Sequence, residues 1–118
     1  MIARTWRGWV QTDRAAEYVD YISETGLEEY CASPGNLGAQ LFTRDLHDGR
    51  TEVVTVSWWN SLDEVHNFAG DDIDRAVFYP RDDEFLIERE HTVAHYHVAL
   101  APDDQDRPAR VRDVPRIT

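Results

Sequence analysis

Residues 51–59, Thr-Glu-Val-Val-Thr-Val-Ser-Trp-Trp, put bulk on both sides of an extended backbone. Successive side chains of a strand alternate, so Val54, Val56 and Trp58 face one way and Val53, Thr55, Ser57 and Trp59 the other. A strand apolar on both faces belongs inside a sheet that is covered on both sides. A chain of 118 residues has room for one domain with a modest core. Helices of the same chain can cover one face, and a second copy is the simplest cover for the other.

The rest of the chain supplies the partners of that strand. Residues 2–11 alternate, with Ile2, Arg4, Trp6, Gly8 and Val10 on one face and Ala3, Thr5, Arg7 and Trp9 on the other. Thr12 and Asp13 then offer an N-cap, and Ala15, Val19, Ile22 and Gly26 mark an amphipathic stripe flanked by Tyr18 and Tyr21. Thr25-Gly26-Leu27-Glu28 has the form of a second capping box, which predicts an interruption at Gly26. Ser33-Pro34-Gly35-Asn36 ends the helical region. A strand at 37–46 is joined to 51–59 through His47-Asp48-Gly49-Arg50, a hairpin signal. Ser61 and Glu64 form a capping box for a second helix with Leu62, Val65, Phe68 and Ala69 as its buried stripe and Gly70 as its stop. A shorter helical turn is predicted through Ile73, Ala76 and Val77, and a last strand at about 91–100. Residues 101–118, rich in Pro and charge, are predicted to form a flexible tail outside a domain of residues 1–100. The order strand–helix–strand–strand–helix–strand predicts an α+β, ferredoxin-like βαββαβ fold with a four-stranded antiparallel sheet.

Charge excludes one class of partner. The formal net charge is −11, and a phosphate backbone requires a basic face, so no nucleic-acid partner is expected. No apolar run approaches the length of a bilayer span, and Met1-Ile2-Ala3-Arg4 does not open an export signal, so the expectation is a cytoplasmic protein with no membrane partner. The single cysteine, Cys31, rules out an intrachain disulfide and reads as a small buried apolar residue more readily than as a nucleophile.

Residues 57–86, followed by Thr92-Val93-Ala94-His95-Tyr96-His97-Val98, resemble the antibiotic biosynthesis monooxygenase family of dimeric α+β barrel proteins. The Trp-x-Ser spacing of Trp59 and Ser61, continued to Phe68-Ala69-Gly70, is similar to that family's second helix, as are Tyr79-Pro80 and the pair His95-Tyr96. The resemblance implies a homodimer with a pocket between helices and sheet in each subunit. Some relatives oxygenate anthrone- or quinol-like aromatics without metal or flavin; others bind and degrade haem. The haem-degrading branch uses an Asn on the first strand and a His near the end of the second helix. Here those places hold Arg4, Trp6 and Arg7, and then Phe78-Tyr79.

A cofactor-free oxygenase needs an electron-rich substrate that, once deprotonated, can give an electron to O2. The protein supplies a base, a donor for the developing oxyanion and an apolar wall that excludes water. His95 and His66 are the candidate bases, and Arg4 and Asn60 the candidate donors. Trp6, Trp58, Trp59, Phe68, Phe78 and Tyr79 are candidates for an aromatic cavity. Each has a structural alternative: a boundary position for His66, an interface hydrogen bond for His95, a helix cap for Asn60, an acidic partner for Arg4 and core packing for the Trp residues. His91, His95 and His97 share metal-like spacing but no identifiable further ligand, so no metal is expected. Asp71, Asp72, Asp74, Asp82, Asp83 and Glu84 read as a solvated acidic face. The leading expectation is a dimeric oxygenase of a polycyclic phenol, anthrone or quinol using O2 without a prosthetic group. The alternatives are a haem protein and a non-catalytic module for an aromatic small molecule.

Overall fold

A computed structural model describes residues 1–100; the predicted tail lies outside the described residues. Strand β1 (Ile2–Gln11) runs into a 3-10 turn (Thr12–Arg14) and helix α1 (Ala15–Ile22). A π-helical turn (Ser23–Leu27) continues into α2 (Glu28–Ala32), followed by β2 (Asn36–Asp45), β3 (Arg50–Trp59) and α3 (Leu62–Ala69). After an extended strap come the short turn of helix α4 (Asp82–Phe85), β4 (Leu86–Arg89) and β5 (Ala94–His97). No helix of the described residues is long and apolar enough to cross a membrane.

The sheet is antiparallel in the order β2-β3-β1-β4, with β5 also on β1. The two-faced strand β3 is therefore interior, as its composition requires. Five strands fill four positions, because the last one is broken: β4 pairs with β1 at Val10, Trp9 and Gly8, and β5 pairs at Ile2 through Thr5. Between them the chain leaves the ladder and pairs with residues 74–76 instead. Val93 donates to Asp74 O (2.8 Å), Ala76 donates to His91 O (2.9 Å), and Arg75 bridges Thr92. This pairing overturns the expected helical turn through Ile73, Ala76 and Val77: its backbone groups find partners across the strap and not along a helix.

Five local expectations also change, the first being that Cys31, read as buried, is exposed on α2. Neither Thr12 nor Asp13 caps α1; Thr12 Oγ1 shares a hydrogen bond with Thr51 Oγ1 at 2.9 Å. Gly26 does not interrupt the first helix, because the π turn carries the backbone through it, with Thr25 Oγ1 donating to Tyr21 O (2.8 Å). The buried stripe is Tyr18, Ile22, Gly26 and Tyr30 in place of Ala15, Val19, Ile22 and Gly26. Positions four apart drift about 40° per step on a regular α-helix, and the wider π turn keeps them on one face. Leu62, placed in the buried stripe of α3, is 40% exposed, while Val65 is fully buried. The Ser61 cap, accepting from Glu64 N, and the Gly70 stop (φ 90°) stand as read.

All helices lie on one sheet face, where they bury two apolar clusters. Trp6, Val10, Tyr18, Ile22, Val53, Ala76, Phe85 and Leu86 form one; Ile2, Tyr30, Trp59 and Val65 form the other. Arg4 lies between them on β1 and is 2% exposed. The opposite face carries Val54, Val56 and Trp58 with Phe42 and Tyr96, the last two 48% and 58% exposed.

Candidate functional site

A cavity opens between sheet, first helix and strap, lined by Trp6, Tyr18, Ile22, Gly26, Tyr30, Thr55, Ala76, Val77, Phe78, Tyr79, Asp82 and Val93. Its free volume is about 20 Å³, room for one water. Trp6 forms one wall. Its indole lies along β1 over Gly8, where a Cβ would come within 2.5 Å of the ring. Trp6 Nε1 donates to Glu90 O (2.6 Å), and Phe78 packs on it edge-on at 6.2 Å. Tyr79 forms another wall, stacked over Gly26, whose missing side chain leaves 3.4 Å to the ring from an ideal Cβ position. Tyr79 also lines an outer depression of about 360 Å³ with Glu24, Thr25, Glu28, Glu29 and Ala32.

Beside the cavity stands a polar chain. Arg4 Nη1 donates to Ile73 O (2.7 Å) and lies 2.9 Å from His95 Nε2; Nη2 donates to Arg75 O (3.2 Å). A guanidinium only donates, so Nε2 accepts, and the imidazole proton belongs on Nδ1, which faces Asp74 Oδ1 at 3.4 Å. Burial lowers the His95 pKa from its ordinary value, as does the Arg4 charge, against the opposing pull of Asp74. Burial also lowers that of Arg4, while the nearby Tyr30 hydroxyl favours its charge. Tyr30 and Tyr79 connect this chain to the cavity they line; burial raises the pKa of both.

The residues singled out from the sequence fall in several places. Trp6, Phe78 and Tyr79 line the cavity, and Arg4 and His95 meet beside it. Trp59 and Phe68 pack against Tyr30 in the second cluster, with Trp59 Nε1 donating to Ser57 Oγ (2.9 Å). Trp58 is on the open face, paired with Ala3 and Gly38. His66 is exposed on α3, 3.4 Å from Asp71. Asn60 is exposed at the end of β3, its N–H donating to Gly35 O (2.9 Å), and the cap of α3 falls to Ser61. His91 precedes β5 and His97 is exposed; among the described residues no three His, Cys, Asp or Glu side chains gather as metal ligands.

Sequence reasoning missed Tyr18, Tyr30, Asp74 and Asp82. The tyrosines carried a signal, the four-residue spacing Tyr18-Ile22-Gly26-Tyr30. Asp82 carried none that separates it from Asp83 and Glu84, yet it is 3% exposed. Its Oδ2 accepts from Tyr79 N (2.7 Å), and burial raises its pKa against the pull of that N–H and of Arg89.

No protein-family model matches the chain, and no curated protein matches it. Solved structures do. A protein from Bacillus cereus described as an antibiotic biosynthesis monooxygenase is 16% identical, with TM-score 0.63 over 87% of this chain and 97% of its own. One of the same description from Nitrosomonas europaea is 16% identical, with TM-score 0.58 over 85% of this chain and all of its own. A point mutant of MhuD, with two manganese protoporphyrin IX bound per active site, is 17% identical, with TM-score 0.55 over 88% of this chain and 100% of its own. At these identities the likeness is one of fold: the chain has the ferredoxin-like α+β architecture of proteins named antibiotic biosynthesis monooxygenases.

Proposed function

We propose that the chain is a cytoplasmic homodimeric oxygenase that uses O2 on an electron-rich phenol, anthrone or quinol, without a prosthetic group. The observation that carries this reading is His95, its pKa lowered by burial and by Arg4, beside an aromatic-walled cavity. Such an imidazole is a base for a weakly acidic carbon or phenol once Arg4 Nη1 turns from Nε2 to the developing oxyanion. Arg4 supplies the positive charge toward which an oxyanion develops, with Tyr30 between it and the cavity. An anthrone-type methylene would leave as a carbonyl, with one O2 consumed and one water formed.

A protoporphyrin is the group bound by one structural neighbour. The cavity lining contains no His, Cys or Met side chain to serve as an axial ligand, and burial raises the pKa of its three tyrosines against the tyrosinate that a haem iron would take. The residues present do not fit haem.

Oxygen uptake with a panel of anthrones and hydroquinones tests the reading. Turnover is expected to survive chelators and to fall by about 10²–10⁴ in His95→Asn. No uptake across the panel, or full activity in that variant, sinks it. Binding without uptake would leave a non-catalytic module.

A further inference from the structure

Of the acidic residues between 71 and 84, Asp82 is the buried one. One carboxylate oxygen has a structural task, accepting the Tyr79 N–H, while the Asp82 N–H donates to Tyr79 O (2.9 Å) to close the turn. The other, Oδ1, is buried without a hydrogen-bond partner among the described residues, on a residue that lines the cavity. Arg89, whose charge favours the ionised Asp82, is bound to Asp83. A buried acceptor left unpaired weakens the fold, so its retention needs a reason outside folding.

The space beside it also has a bearing. About 20 Å³ holds a water but no aromatic ring; a cavity that takes benzene measures about 150 Å³. Tyr79, its ring resting on Gly26, is the residue common to this space and the outer depression of about 360 Å³. Swinging that ring outward would join the two.

We propose that Asp82 is the recognition residue for a ligand hydroxyl: a flat phenol displaces the Tyr79 ring, lies against the aromatic wall that Trp6 and Phe78 form, and donates its O–H to Asp82 Oδ1. The inference rests on the cavity being the substrate site of the proposed oxygenase, but not on oxygenation itself.

Calorimetric titration of the full chain with 2-naphthol and 2-methoxynaphthalene tests it. The wild type is expected to favour the naphthol by about tenfold, the worth of one hydrogen bond. Asp82→Asn keeps an oxygen for the Tyr79 N–H and replaces the free oxygen by NH2. It is expected to erase the preference while unfolding at or above the wild-type midpoint. Equal affinity for both probes, no binding of either, or a preference intact in Asp82→Asn overturns the proposal. The two-probe comparison on the wild type holds even if the variant does not fold. Hydroxyl-dependent binding with no oxygen uptake removes the oxygenase reading and leaves this one standing; uptake with no hydroxyl preference does the reverse.

Discussion

Arg4 reaches two carbonyls of the strap and one imidazole of β5, so a single guanidinium ties both segments to the first half of β1. Arg4→Met should cost about 2–4 kcal/mol in chemical denaturation, because Ile73 O and Arg75 O lose a charged donor. It should also change the pH dependence of any oxygenase rate. His95 has a pKa held below its ordinary 6.5, so it is the free base above that pH and loses the base form only as pH falls through the lowered value. Without the Arg4 charge the pKa climbs, and the acidic limb of kcat/KM should move to higher pH. Arg4→Lys, which keeps the charge, should leave the limb in place. A limb unmoved in Arg4→Met would separate His95 from the rate. Arg4 was legible in the sequence because a charge on the inward face of an alternating strand demands a partner. The partner itself was not, since backbone carbonyls carry no sequence signature.

The elements around the cavity depend on two irregularities. The π turn keeps Tyr18 and Tyr30 on the same side and places Gly26 under the Tyr79 ring. A methyl there meets the ring at ordinary contact distance, so Gly26→Ala should fold at least as well as the wild type. Gly26→Leu should fill the cavity and abolish 2-naphthol binding, with melting curves separating a blocked site from an unfolded chain. Binding retained in Gly26→Leu would place the ligand elsewhere. The hairpin, the α3 cap and the interior position of β3 could be read directly, because turn chemistry and two-sided burial are local statements. The strap and the broken last strand could not. Their hydrogen bonds join residues 74–76 to 91–93, and neither stretch has a period of its own.

On the scale of the whole molecule, the helices leave Val54, Val56, Trp58, Phe42 and Tyr96 together on a sheet face that no described residue covers. An apolar face of that kind favours self-association. Sedimentation at micromolar concentration should give a dimer, and Val56→Asp, at the centre of the face, should shift it to monomer by at least tenfold in dissociation constant. A wild-type monomer would count against the barrel architecture. The cavity lies on the other side of the sheet from this face. In a dimer joined through this face the two cavities would therefore be separated by two sheet layers. Occupancy of one need not be felt by the other, and saturation should follow a simple hyperbola with no cooperativity between the halves.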